Sequence, residues 1–260
     1  MYTYSAQTSA GRVRTNNEDA IAIDSRLGVV VLADGMGGYQ AGEVASGMAS
    51  VLIKDDMVSW LKQTVTPPRT ADVRQALGRS VSEANLAIFT RGLTRPECRG
   101  MGTTVVAAIF GRDVLVLGHV GDSRAYRLRG GQLTQLTKDH SVLQEEIDAG
   151  LVTPEQALVA THKNLVTRAL GVDPGVVLDL IEVAVQPDDL YLLCSDGLTD
   201  LVHDPQIAQI LQTPQTLQNK ADQLVDAANE QGGRDNISVV LIQAAQESQP
   251  HGLLSRLLGK

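Results

Sequence analysis

The chain has 260 residues, of which 43% are hydrophobic and only 3% aromatic, and its formal net charge is −8. A chain of this length can bury one sizeable core, so we expect a single compact domain built mainly on aliphatic side chains. The acidic balance argues against a general nucleic-acid binder, which needs basic surface to meet phosphates.

The cysteines and the N-terminus bear on the compartment in which the protein works. Cys98 and Cys194 match no zinc-binding spacing, and two isolated thiols are typical of a reducing environment. Residues 1–5 lack the charged and apolar regions of a signal peptide. No apolar run reaches the roughly 18 residues needed to span a bilayer. The sequence therefore predicts a cytoplasmic protein without a membrane span, and we expect it to be a monomer.

The predicted elements begin with strands and continue with helices. Apolar runs predict strands at residues 21–24 and 28–33. Two helical patterns follow, in which apolar residues recur about every 3.6 positions. They are Val44, Met48, Val51, Leu52, Val58 and Leu61 in the first helix, and Val73, Leu77, Val81, Ala84 and Ile88 in the second.

Hairpins dominate the middle of the chain. Residues 103–110 and 114–120 flank the turn 111–113, and residues 125–128 and 132–136 flank Arg129-Gly130-Gly131. Further strands are predicted at 176–185, 190–194 and 237–242. A third helix, between the last two strands, carries Leu217, Ala221, Leu224, Val225 and Ala228 and stops at Gly232-Gly233.

This order of elements predicts the fold class. Strands and helices do not alternate strictly, so the sequence favours an α+β domain of antiparallel sheets with helices packed outside. The segment from about 139 to 171 has few strand signals and a short helical stretch at 141–149. A long excursion of this kind is often a flap beside a site.

Four aspartates border apolar strands. Asp34, Asp122 and Asp196 each follow an apolar run, Asp235 precedes one, and each has a glycine beside it or within two residues. A single Asp-Gly pair is more often a simple turn. Several converging carboxylates would repel one another unless a cation lay between them. Because the cluster has oxygen ligands only, it predicts Mg²⁺ or Mn²⁺ rather than zinc.

An early polar segment, residues 14–19, adds a cation and two acids to the candidate residues. The planar guanidinium of Arg14 suits phosphate oxygens. Taken alone, such a segment is more typical of a solvated loop.

These motifs resemble, in order, those of the metal-dependent protein phosphatase family of the type 2C class, in its bacterial form. The resemblance extends from about residue 5 to residue 243. The matching stretches are residues 14–20, 33–38, 42–46, 101–104, 120–126, 133–141, 194–198 and 234–238. One such motif would be weak evidence, but the ordered set is highly specific.

The resemblance implies a fold and a metal centre. It implies two antiparallel β-sheets forming a central β-sandwich flanked by helix pairs, within a domain at 1–245 followed by a tail at 246–260. Asp34 would bridge two metals, Asp196 and Asp235 would complete the shell of one, and the Gly35 carbonyl would serve the other, with Glu18 acting through water. A third metal is expected at Asp122 and Asp196.

The resemblance also implies an activity. Arg14 would hold the phosphate of phosphoserine or phosphothreonine while a hydroxide, formed from water between two Mn²⁺ or Mg²⁺ ions, attacks phosphorus. The implied partners are phosphorylated proteins, with a serine/threonine kinase or its targets as the default. The chain departs from the family at Met36 and Tyr39, where relatives have histidines. The general acid is therefore unassigned, with a metal-bound water or Tyr39 as alternatives.

Other interpretations are weaker. A cysteine phosphatase needs arginine six positions after its thiolate, but those positions hold Asp200 and Thr104. A regulatory module that has lost turnover should also have lost ligands, and this chain retains them. A metallophosphatase for small phosphate esters stays open, because the chemistry is shared. His140 and His162, in or beside the flap, are more typical of structural or solvated histidines.

Overall fold

Eleven strands and six α-helices are present in the residues that the computed structural model describes, which are 2–38, 41–153, 156 and 165–245. The strands are β1 (Tyr2–Ser9), β2 (Asp19–Asp24), β3 (Val29–Met36), β4 (Gly102–Thr103), β5 (Val105–Phe110), β6 (Val114–Val120), β7 (Arg124–Arg129), β8 (Gln132–Gln135), β9 (Asp179–Ala184), β10 (Leu190–Cys194) and β11 (Ile237–Ala244). The helices are α1 (Ala41–Gln63), α2 (Thr70–Thr94), α3 (Val142–Asp148), α4 (Asp196–Thr199), α5 (Asp204–Leu211) and α6 (Leu217–Glu230).

The strands form two sheets in which neighbouring strands pair antiparallel. The first sheet has the order β1-β11-β10-β7-β8, and the second has the order β2-β3-β5-β6-β9 with the short β4 attached to β3. The loops 111–113 and 130–131 close the β5–β6 and β7–β8 hairpins, as the sequence predicts. The predicted α+β class with two antiparallel sheets is confirmed.

Side chains alternate across the sheets and build three apolar layers. Val30 and Leu32 of β3 pack between the sheets with Leu193 of β10, while Val29 and Val31 pack against α1 and α2. The outer face of the first sheet is covered by α5 and α6. Because successive strand residues point to opposite faces, a strand buried on both faces must be apolar throughout.

The predicted inner face of α1 is partly wrong. Val51 and Leu52 are 49% and 41% exposed, whereas Ala45, Ala49 and Ile53 are fully buried. Small side chains bring this helix close to the sheet, so the buried face does not follow the largest apolar residues. For α2 and α6 the predicted faces are buried as expected, and α6 ends before the paired glycines.

Several strand predictions differ from the structure in extent. The strand β1 was not predicted, because its alternating threonine, tyrosine and serine residues lack an apolar run; it pairs with β11 along its whole length. The strand predicted at 176–185 is shorter, at Asp179–Ala184. The helical stretch predicted at 141–149 is confirmed as α3, which begins after its N-cap Ser141.

Some predictions lie outside the described residues. Tyr39, His162, the tail 246–260 and much of the flap between 154 and 164 are among them. Within the described part of the chain, no helix combines the length and apolar character that a membrane crossing requires.

Candidate metal centre

The four strand-edge aspartates meet at one end of the sandwich. Asp34 lies near the end of β3, Asp122 follows β6, and Asp196 follows β10. Asp235 precedes β11, which pairs antiparallel with β10. Antiparallel pairing puts the end of one strand beside the start of the next, so positions far apart in sequence come together.

Electrostatics show how closely the acids converge. Burial, followed by the nearby carboxylates of Asp19, Asp196 and Asp122, raises the pKa of Asp34 well above its ordinary value. Burial, followed by Asp122, Asp200 and Asp235, likewise raises the pKa of Asp196. A carboxylate whose pKa is raised by like charges is stabilised by a proton or a cation.

The Asp122 carboxyl shares this environment. The side chain is buried, and burial, followed by Asp139 and Asp200, raises its pKa to about 6. Arg124 lowers this pKa only in part, and its guanidinium forms a two-pronged ion pair with Asp139, at 2.6–3.0 Å.

Two threonines hold the backbone of Asp34 in place. The Thr104 amide and the Thr103 hydroxyl both donate to the Asp34 carbonyl, at 2.9 and 2.8 Å. The Asp34 amide donates to the Thr104 hydroxyl, at 3.0 Å. The carboxylate therefore projects from a fixed backbone, which is a requirement of a preorganised site.

Glu18 and Gly35 lie in close contact with the start of α1. The Gly35 amide donates to the Glu18 carbonyl, at 3.1 Å, and the Ser46 hydroxyl donates to the same carbonyl. A Cβ on Gly35 would overlap the Gly42 carbonyl, and one on Gly42 would lie 2.8 Å from Cδ of Glu18. Glycine is needed at both positions because backbone and carboxylate approach so closely.

Asp19 is the acid of the segment 14–19 to which the sequence analysis gave no role. It pairs directly opposite Asp34 in the β2–β3 register, and its carboxylate accepts a hydrogen bond from the Ser195 hydroxyl at 2.8 Å. Burial outweighs the hydrogen bonds from Ser238 and Ser195 and raises its pKa to about 6. Its Oδ1 atom is buried without a partner in the described residues. Its sequence signal was its place in the polar segment 14–19, directly after Glu18.

Arg14 and Asp235 form an ion pair at the open edge of the site. Arg14 Nη2 lies 2.8 Å from Asp235 Oδ2, and the side chains are 53% and 33% exposed. Surface pairs of this kind are worth about 1 kcal/mol or less, so the guanidinium can leave for a stronger anion.

Asn236, to which the sequence analysis also gave no role, holds the loop that carries Arg14. Its amide group donates to the carbonyls of Ala10 and Asn16, at 3.2 and 2.9 Å. Its Oδ1 accepts from the Glu18 amide at 2.7 Å. One buried side chain thus fixes both ends of the loop, which a sequence motif cannot reveal.

The donor set suits a hard divalent cation. The carboxylates are crowded, their pKa values are raised, and one buried carboxyl oxygen of Asp19 is unpartnered. Within the described residues, however, no three His, Cys, Asp or Glu side chains are arranged to hold an ion by themselves. Hard divalent cations also take backbone carbonyl oxygens and water as ligands, and Mg²⁺ usually keeps several waters.

Position 36 does not supply an acid. Met36 is the last residue of β3 and pairs with Gly102, and its thioether has no proton to donate. The second candidate, Tyr39, lies outside the described residues.

A cavity of about 500 Å³ opens beside the acids, beneath the flap helix α3. Its lining includes Leu143 and Ile147 of α3 together with Asp122 and Asp196. The helix α3, which lies within the predicted flap, therefore borders the carboxylate cluster.

Comparisons with known proteins agree with this geometry. The profile of the family described as protein phosphatase 2C matches residues 6–241. The serine/threonine phosphatase Stp of Listeria monocytogenes is 40% identical over 240 residues, which cover 91% of this chain and 94% of that protein.

Solved structures extend the likeness to the fold. A crystal structure of the serine/threonine phosphatase PstP/Ppp of Mycobacterium tuberculosis has a TM-score of 0.85 and 38% identity, covering 94% of this chain and 99% of that one. A structure of the PstP catalytic domain in complex with two manganese ions has a TM-score of 0.82 and 37% identity, with the same coverage.

Proposed function

The chain belongs to the protein phosphatase 2C family, and from this premise we propose that it is a metal-dependent protein serine/threonine phosphatase. The observation that carries the proposal is the convergence of carboxylates around Asp34, where burial and then mutual repulsion raise the pKa values of Asp34 and Asp196. The structural relative with two manganese ions supports a binuclear Mn²⁺ or Mg²⁺ centre.

We assign the ligands as follows. Asp34 would be shared by two ions, Asp196 and Asp235 would serve one of them, and the Gly35 carbonyl would serve the other, with Glu18 acting through water. Asp122, with Asp196, is the candidate for a third ion beneath the flap. The observations that support these roles are the strand-edge positions and the charge coupling among the aspartates.

Each part of the site has a chemical task. When bound, the divalent ions supply positive charge that acidifies water and offsets charge on the transferring phosphoryl group. Arg14 moves from Asp235 to the substrate phosphate, for which its planar fork is well suited. Thr103 and Thr104 keep Asp34 fixed, so the site does not need to reorganise during the reaction.

The finer assignments follow from the same premise. We assign residues 1–245 to the phosphatase domain, with a flap at about 139–171, and 246–260 to a tail. Phosphorylated proteins are the proposed substrates, with a serine/threonine kinase or its targets as the default. Two free, buried thiols support a cytoplasmic location. Turnover of kinase-phosphorylated proteins, compared with that of small phosphate esters, separates a protein phosphatase from a small-ester phosphatase.

The central test is substitution of the shared ligand. Asp34→Asn and Asp196→Asn should each lower kcat on a phosphothreonine peptide with Mn²⁺ by about 10³-fold or more, because transition-state charge stabilisation is lost. In chelator, both variants should unfold at a higher temperature than the wild type, because one buried negative charge is gone.

The matched control is Asp226→Asn, because Asp226 is exposed on α6. This variant should change neither kcat nor the unfolding temperature in chelator. Mn²⁺-dependent turnover that survives in both site variants would show that the reaction centre lies elsewhere.

A further inference from the structure

We infer that His140 is a positioning residue that holds the Gly121-Asp122 turn against the root of the flap. The inference rests on the proposed function, since it concerns the position of the Asp122 carboxylate, a proposed metal ligand. In the sequence His140 is a lone histidine without an evident partner. In the structure its ring contacts Gly121, Asp179 and His119.

Both backbone polar groups of Gly121 bind to His140. The Gly121 amide donates to His140 Nδ1 at 3.0 Å, and the His140 amide donates to the Gly121 carbonyl at 2.8 Å. The histidine is 5% exposed, so water cannot readily replace either bond. A buried amide without an acceptor is strongly unfavourable.

The turn itself has little freedom. Gly121 has φ +109, a conformation that favours glycine, and a Cβ there would lie 2.6 Å from Cβ of Thr104. Thr104 in turn binds the Asp34 backbone. The Gly121 backbone therefore lies between the residue that fixes Asp34 and the histidine, and the Asp122 carboxylate projects from the next position.

The other side of the ring faces β9 and the end of the flap. Because Nδ1 accepts from an amide, the proton of the neutral ring is on Nε2. That nitrogen donates to Asp179 Oδ2 at 3.2 Å, and Asp179 Oδ1 accepts from Arg168 at 3.0 Å.

Both ends of the flap meet at this residue. The His140 carbonyl accepts from the Thr167 amide at 2.8 Å, and Ser141 forms a bridge with Val166. The His119 ring, which is fully buried, packs on the His140 ring with centroids 4.7 Å apart and keeps it in place. His140 thus joins the flap root, which its carbonyl contacts, to the turn that carries Asp122, which its ring and its amide contact.

Two amide variants distinguish the hydrogen bond made by Nδ1 from the one made by Nε2. In His140→Asn, Oδ1 takes the place of Nδ1, so the bond from the Gly121 amide is kept while the bond to Asp179 is lost. In His140→Gln, the longer amide reaches the place of Nε2, so the bond to Asp179 is kept while Gly121 loses its acceptor. The two variants differ in which bond they keep, and both retain a polar amide.

Mn²⁺ binding by calorimetry is the first readout, and it needs no turnover. The Gln variant should bind its weakest Mn²⁺ ion about tenfold more weakly than the wild type, the size typical of residues that orient a ligand. The Asn variant should bind it within about twofold, but residues 165–168 should exchange their amide hydrogens faster. Equal Mn²⁺ affinity in the two folded variants would overturn the inference.

A measurement on the wild type covers the case in which the Gln variant does not fold. Hydrogen-exchange NMR with diamagnetic Mg²⁺ should show the amides of Gly121, His140 and Thr167 protected by similar free energies, and Mg²⁺ should slow all three together. Independent exchange of these amides would overturn the inference. Absence of phosphatase activity with these results intact would instead contradict the proposed function.

Discussion

Asp19 carries the clearest prediction at the scale of single residues. Its carboxylate lies opposite Asp34, and its Oδ1 is buried without a partner among the described residues. We expect Asp19→Asn to weaken Mn²⁺ binding by about tenfold or more, because the negative charge that favours a cation is reduced. In chelator the same variant should be more stable than the wild type, since repulsion with Asp34 is relieved.

Thermal unfolding with chelator and with increasing Mn²⁺ measures both effects at once. Asp226→Asn on α6 serves as the exposed control. A variant that bound Mn²⁺ as tightly as the wild type would show that Asp19 only supports the fold.

The sequence identifies some residues of the candidate centre but gives no role to others. Asp34, Asp122, Asp196 and Asp235 could be found because each borders an apolar strand. Asp19 and Asn236 stand inside recognised motifs, but the sequence analysis gave neither residue a role. Asp19 acts through its register opposite Asp34, and Asn236 acts through carbonyls more than 200 positions away in the chain. Pairing across strands has no local sequence signal.

At the scale of elements, the start of α1 is held against the site by glycines. Gly42→Ala would put a Cβ onto the Glu18 carboxylate. We expect it to destabilise the fold by about 1–3 kcal/mol, as overpacking does, and to lower Mn²⁺-dependent turnover. Chemical denaturation and phosphopeptide assays measure the two effects.

Gly47 provides a matched control on the same helix. A Cβ there meets nothing within 4 Å, so Gly47→Ala should stabilise the protein by about 0.5–1 kcal/mol through helix propensity, with turnover unchanged. If Gly42→Ala and Gly47→Ala changed stability and turnover in the same way, the close contact with Glu18 would not explain the glycine at position 42.

The same helix shows the limit of periodicity. Its apolar pattern predicts a face through Val51 and Leu52, yet the helix buries Ala45 and Ala49 against the sheet. Periodicity predicted that a helix forms. The distance to the sheet, which depends on small side chains and on Gly42, decided which face is inside.

At the scale of the whole molecule, Asp189 joins the neighbouring strands β7 and β10 to the loop before β10. Its buried carboxylate accepts from Arg129 Nε and Nη2, at 2.6 Å each, and from the Tyr191 hydroxyl at 2.9 Å. Burial alone would raise the pKa of Asp189, but these bonds and that from the Gln186 amide lower it below its ordinary value.

A lowered carboxyl pKa stabilises the fold above the unfolded value of about 3.9, and this stability is lost as pH falls through the folded pKa. We expect Asp189→Asn to destabilise the protein at pH 7 by about 2 kcal/mol, the scale of a charged hydrogen bond. The difference from the wild type should shrink below pH 4. Urea unfolding at pH 7 and pH 3 measures this difference in stability. A difference that does not depend on pH would contradict a lowered pKa of Asp189 as its source.

The sequence by itself determined the α+β class, most strands, the helices α2 and α6, and four acids of the candidate centre. These features follow from apolar runs, helical spacing and ordered motifs, which are all readable along the chain. Only the tertiary structure decided the pairing of β1, the inner face of α1, the place of Asp19 beside Asp34 and the partners of His140. Each of these depends on strand register or on the distance between layers, and both arise from contacts between residues far apart in sequence.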